Sequence, residues 1–294
     1  MDSYLLGVTA ALVSAVSWAL GSVLWRRVGG NLSAFSMNLM KGLIGSAYLT
    51  IALLVIGVEQ VSLGSIWYLG VSGVVGIAVG DTLFFQALLS IGPRLTSLIG
   101  TLTPVTTSLV AFATLGERPG LLVWVGIGMT CVGVGWVLSA KTYGAVVVSN
   151  KGKGIACGVL SVLCTVIGII LAKKALAEIP AVQASLIRMF AGTVALGLWG
   201  VVRREARGGL KPFADPGLLG RVAGIMVLGT FGGFFLSLYS LKLIDASIAS
   251  SLNSTSPLFV IPVAAVVLKE RITVHSVLGA GLAVCGVVLI ITGG

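Results

Sequence analysis

Ten apolar runs, near residues 4 to 25, 33 to 56, 66 to 90, 95 to 115, 121 to 140, 154 to 172, 181 to 202, 222 to 241, 246 to 268 and 276 to 292, set the strongest constraint on this chain. Each has about the 20 residues that a helix needs to cross hydrocarbon. Inside lipid the backbone has to satisfy its own hydrogen bonds, so such runs fold as helices. The expected fold class is therefore all-α, a polytopic membrane protein of ten transmembrane helices. The first run has no basic leader and is followed by Trp25-Arg26-Arg27 rather than a small-residue cleavage site, so it reads as a retained span. A chain that is 57% hydrophobic and 10% charged is not an ordinary soluble domain. Its 41 glycines suit helices that pack closely in a membrane.

The net charge of +10 does not point to nucleic acid, because the basic residues lie mostly in short connections between apolar runs. Cys131, Cys157, Cys164 and Cys285 fall within the runs and far from the single histidine, His275. They read as packing residues, not as a disulfide framework or a zinc site. No cofactor is expected. Catalysis is not expected either, since the spans hold no histidine and no paired carboxylates.

The chain is written twice. The segment from Gly7 aligns with that from Gly154 at an offset of 147, matching Gly21 to Gly168, Arg26-Arg27 to Lys173-Lys174, Asn38 to Ser185, Lys41 to Arg188 and Gly45 to Gly192. Later the offset is 153, placing Pro104, Glu117-Arg118, Gly126 and Gly133 opposite Pro257, Glu270-Arg271, Gly279 and Gly286. The halves, 1–148 and 149–294, hold five spans each, and an odd number of crossings inverts the second half in the membrane. Inverted repeats are a transporter signature.

Counting Lys and Arg in the connections gives thirteen on one side and four on the other, Arg118, Lys173, Lys174 and Lys242. The rich side is expected to be cytoplasmic, with both termini external, in a prokaryotic inner membrane. The stretch REARGGLKPFADPGLLGR is its largest contributor and reads as a polar surface loop beside anionic lipid.

The pattern P-x12-E-R before a glycine-rich span occurs in both halves, from Pro104 to Arg118 and from Pro257 to Arg271, and Ser14-Ala15-Val16-Ser17-Trp18 lies near the start. In these features the chain resembles the EamA-type ten-span members of the drug/metabolite transporter superfamily, over almost its whole length. The resemblance implies spans 1 to 4 and 6 to 9 around a central cavity, with spans 5 and 10 packed together behind it. It also implies alternating access and transport, often efflux, of small organic metabolites. A channel-like facilitator and a lipid or headgroup flippase are the alternatives on the same architecture. The expected partners are a small-molecule substrate and the bilayer, with the protein a monomer or homodimer.

Ionisable groups within spans carry the candidate site. Lys41 lies roughly 12 Å into span 2 and Asp81 at a similar depth in the antiparallel span 3, so an ion pair is geometrically possible. Asp81 is either the structural partner of Lys41 or, among apolar groups, a proton carrier. Arg188 mirrors Lys41 from the opposite face, but Phe234 stands where its acid would be. Its guanidinium either snorkels outward or meets an anion, a carboxylate or phosphate, in a wet cavity.

Thr101, Thr103 and Pro104 in span 4, and Ser250, Asn253, Thr255 and Pro257 in span 9, repeat one device. They form either a hydrogen-bonding cavity wall that bends at proline or helix-to-helix glue. Trp18, Phe84, Phe85, Phe235 and Tyr239 are candidates for an apolar wall, each also explicable as packing. Asn38 completes the set. Glu117 and Glu270 are expected to anchor the hairpins into spans 5 and 10, paired with the adjacent arginines so as not to oppose the helix dipole.

Overall fold

The computed structural model describes residues 2–28, 32–139, 151–256, 258–259 and 274–293, and among these there are helices and no strands. The first half comprises α1 (Ser3–Val28), α2 (Ala34–Ile56), α3 (Leu63–Gly73), a π-helical segment (Val74–Asp81), α4 (Thr82–Gly100), α5 (Leu102–Thr114) and α6 (Leu121–Ser139). The second comprises α7 (Lys151–Leu176), α8 (Ala181–Val202), the short α9 (Ala206–Leu210), a 3-10 turn (Lys211–Ala214), α10 (Pro216–Val227), a second π-helical segment (Leu228–Phe235), α11 (Leu236–Leu243), α12 (Ala246–Asn253) and α13 (Val274–Gly293). Six helical stretches are long and apolar enough to span a membrane, and shorter apolar helices occupy Leu102–Thr114, Leu121–Trp136 and Val277–Gly293. Together they make the polytopic membrane architecture expected from the ten apolar runs. Of the ninth span the described part is α12 and the residues just after it; Pro257 and Glu270-Arg271 lie outside the described residues.

The third and fourth spans meet within α4. Ile91 of α4 lies at Gly154 of α7, and Ile99, near the end of α4, lies at Gly158. Helical structure then breaks at Thr101, three residues before Pro104, whose ring cannot donate the bond that would continue the turn. Leu54, Val55, Leu63, Trp67 and Val202 are exposed on the outside of the bundle, a distribution that suits a hydrocarbon solvent rather than water.

Two antiparallel helix pairs relate the halves. Gly42 of α2 lies at Thr193 of α8, Gly45 at Met189, and Phe35 at Gly200. In the second pair, α6 lies along α13, and a methyl group at Gly126 would come within 2.6 Å of the Gly286 carbonyl oxygen. Gly133 meets Gly279 at the same hypothetical separation. Under the 153-residue offset Gly126 corresponds to Gly279 and Gly133 to Gly286, so each contact is the image of the other. The expected pairing of spans 5 and 10 is thus present, built from backbones in contact at glycine.

The π segments occupy matching places in the third and eighth spans. A π turn inserts a residue and loosens the local hydrogen-bond ladder, and a serine from another helix bonds each one. Ser161 of α7 donates to the Gly80 carbonyl at 2.9 Å, and Ser14 of α1 to the Gly233 carbonyl at 2.7 Å. Those residues again differ by 147 and 153. The connection after α8, expected as a polar surface loop, turns through α9 and lays Gly209 against Phe35 and Leu39 of α2.

Candidate functional site

Three polar side chains converge where α2 faces the first π segment. Lys41 donates to Asp81 in an ion pair whose side chains are 9% and 28% exposed, so the pair is reached from the Asp81 side. Asn38 donates to the Ile77 carbonyl at 2.8 Å and to Thr82 at 3.0 Å. One of those bonds therefore satisfies a carbonyl of the π segment, while Asn38 Oδ1 remains buried with no hydrogen-bond partner. The Lys41 to Asp81 pairing expected from antiparallel spans is present.

Arg188 occupies the equivalent place in the second half. It is 7% exposed, and its guanidinium lies over the Phe234 ring, 5.5 Å from the centroid. A methyl group at Gly76 would stand 3.0 Å from Arg188 Nη2 and one at Gly168 2.9 Å from it, so the two glycines form a cradle that any larger side chain would fill. Asp81 acts electrostatically on Arg188, although it bonds to Lys41. Arg188 Nε is buried and has no hydrogen-bond partner. The guanidinium is thus packed inside the bundle rather than extended outward. Two cations and one carboxylate leave one positive charge in excess.

The remaining candidates are distributed around this centre. The Trp18 indole lies 3.1 to 3.4 Å from where a methyl at Gly233 would be, next in sequence to Phe234. Tyr239 stacks on Phe235 at 5.9 Å between centroids. Asn253 donates to Ser237 at 3.3 Å and to the Ala249 carbonyl at 3.0 Å, leaving its Oδ1 buried and unpartnered. Thr255 bonds back to the Leu252 carbonyl at 2.6 Å. Thr103 is half-buried beside the buried Pro104, and Phe85 packs with Ala34 and Met37 in an apolar cluster of its own. Sequence reading did not identify the ring face of Phe234 as a partner, nor the Gly76 and Gly168 cradle. The first was visible only as a missing acid, and the second was hidden among 41 glycines. Among the described residues, no group of three or more His, Cys, Asp or Glu is placed to hold a metal ion.

Glu117 is placed differently from the expectation. Instead of pairing with Arg118 it accepts bonds from the first turn of α12, from Ala246 N at 2.7 Å, Ser247 N at 3.1 Å and Ser247 Oγ at 2.9 Å. A carboxylate at a helix N-terminus is stabilised by the dipole that would oppose it at a C-terminus.

The described helices form a polytopic bundle of two matching halves with charged groups packed inside it. The EamA-like transporter family matches residues 5–139 and 152–292, and the chain belongs to that family. The family makes it a drug/metabolite-type transporter, and an integral membrane protein. No curated protein matches the chain. A solved structure titled only "Crystal structure of protein" has a similar fold, with a TM-score of 0.75 and 18% identity, covering 98% of this chain and 96% of the other.

Proposed function

We propose that the chain is a secondary transporter that moves a small organic metabolite bearing an anionic group by alternating access, in the direction of efflux, and that Arg188 receives the anion. The observation that carries this reading is a buried guanidinium that has no carboxylate bonded to it among the described residues, with one idle N–H donor and a glycine cradle around its tip. Burying an unpaired cation costs several kcal/mol unless an anion or water compensates it. A carboxylate or phosphate entering the site would supply that compensation and match the planar donor fork. Trp18, Asn38, Tyr239 and Asn253 are the candidate walls around the organic portion. In this reading Asp81 neutralises Lys41, which supports a structural role over that of a free proton carrier. The basic connections support a cytoplasmic location for the ends of α1 and α8 and an external location for both termini.

The test is countertransport in proteoliposomes, preceded by a thermal-shift screen of amino acids, organic acids, nucleosides and cationic drugs, in which a bound ligand stabilises the native state. Saturable exchange of an anionic solute that Arg188→Gln abolishes, in protein that remains folded, is the expected result. Unitary currents, leaflet-to-leaflet movement of labelled lipid, or an Arg188→Gln variant with unchanged affinity would overturn it.

A further inference from the structure

The turn from α11 into α12 contains a helix start whose own cap is idle. An aspartate at the N-cap normally accepts bonds from the second and third helical N–H groups. Asp245 holds the N-cap position of α12, yet its side chain makes no cap bond. Glu117, from the hairpin joining α5 to α6, bonds Ala246 N and Ser247 N in its place. Glu117 is buried, whereas Asp245 is exposed.

Other elements present charged or titratable groups to the same point. Lys173 of α7 acts electrostatically on both carboxylates while its ammonium donates to the Leu241 and Ile244 carbonyls at 2.8 and 2.7 Å. Tyr4 of α1 faces Asp245 and donates to the Ile291 carbonyl of α13 at 3.0 Å. Lys242, on α11 itself, is committed to the Ile179 carbonyl at 2.8 Å. Two carboxylates therefore compete for one helix N-terminus and one nearby ammonium, and only the one from the distant hairpin is engaged.

We propose that Asp245 is a proton-binding site, and that its proton occupancy decides whether Glu117 or Asp245 caps the ninth span, and so whether the α5–α6 hairpin is held against it. With Glu117 seated, Asp245 has lost its cap bonds and stands beside a second negative charge. Partial burial first, and Glu117 second, push its carboxyl above the usual range, with Lys173 acting the other way. If Glu117 withdraws, the freed N–H groups stabilise Asp245 as the carboxylate, and the proton passes to water. The seated arrangement thus binds more proton than the released one. Lower pH favours seating, and raising pH through the raised Asp245 pKa favours release. Exposure of Asp245 gives the proton a route from solvent, and a hairpin released by proton loss at one mouth would tie movement there to a proton gradient. The proposal is independent of whether Arg188 receives the substrate.

The separation of spin labels on Arg118→Cys, in the hairpin, and Ala177→Cys, in the turn after α7, both exposed positions, tests it on the full chain in lipid nanodiscs. The separation is expected to be shortest at low pH and to lengthen as pH rises through the raised Asp245 pKa. Asp245→Asn and Asp245→Ser should both remove that pH dependence. Glu117→Ala should show the long separation at every pH. A pH-independent separation in the otherwise wild-type protein, or the same pH dependence in both Asp245 variants, would overturn the proposal.

Discussion

Arg188 stacks on Phe234, 5.5 Å from the ring centroid, at the place where the other half sets Lys41 against Asp81. The cations differ by 147 positions and their partners by 153, the two offsets of the repeat. One half neutralises its buried cation with a carboxylate, and the other offers only the negative face of an aromatic ring. A desolvated contact of that kind is worth about 2 kcal/mol, well short of a buried charge's solvation cost. Phe234→Asp would complete the missing pair. The expected outcome is a folded protein that no longer gains thermal stability from anionic ligands, while Phe234→Leu retains that gain at a baseline lowered by about 2 kcal/mol.

The Lys41 and Asp81 pair gives a sharper stability prediction. Removing one partner leaves an uncompensated charge at membrane depth, so Lys41→Met and Asp81→Asn should each destabilise by about 3–5 kcal/mol. The double variant, with both charges gone, should recover much of that loss. Chemical denaturation in mixed micelles measures the cycle. If Asp81 also carries protons, Asp81→Asn will remove acceleration of transport by a pH gradient; as a purely structural partner it will lower folded yield and leave any acceleration in place.

Most of the fold was legible in sequence, because span length, repeat offset and glycine register are local or periodic. The Gly126 and Gly286 contact follows from two inverted copies meeting at a pseudo-two-fold axis. The ion pair was legible for a similar reason: antiparallel neighbours bring Lys41 and Asp81 to one depth. Glu117 was not. Its adjacency to Arg118 suggested a local pair, whereas it bonds across 129 residues to α12, a choice made by tertiary packing. Phe234 was also misjudged, since aligning the halves showed that an acid was absent but could not show that the ring would turn its face to the guanidinium.

The π segments explain why the serine pair recurs. Ser14→Ala and Ser161→Ala each leave a buried carbonyl without its partner, and each should cost about 1–3 kcal/mol. The double variant should cost roughly the sum, because the two bonds lie in different halves with no shared partner. Sub-additive loss in denaturation would show that the two segments relax together.

Acid sensitivity has a separate source at the junction between the halves. Ser62 and Ser65 both donate to Glu178 Oε2 at 2.8 Å, tying the start of α3 to the turn after α7. These bonds hold the Glu178 carboxyl below its ordinary value of 4.5. A depressed carboxylate contributes stability that is fully present above the unfolded pKa and is lost as pH falls through the folded one. The contribution should therefore be constant at neutral pH and disappear in the window below about pH 4.5. Because Glu178 is solvent-exposed, the effect will be small. A Glu178→Gln variant should match wild-type stability in strong acid, fall below it as pH rises through that window, and stay below it by a constant amount at higher pH. Parallel thermal denaturation curves at all pH values would show that the serine bonds add nothing.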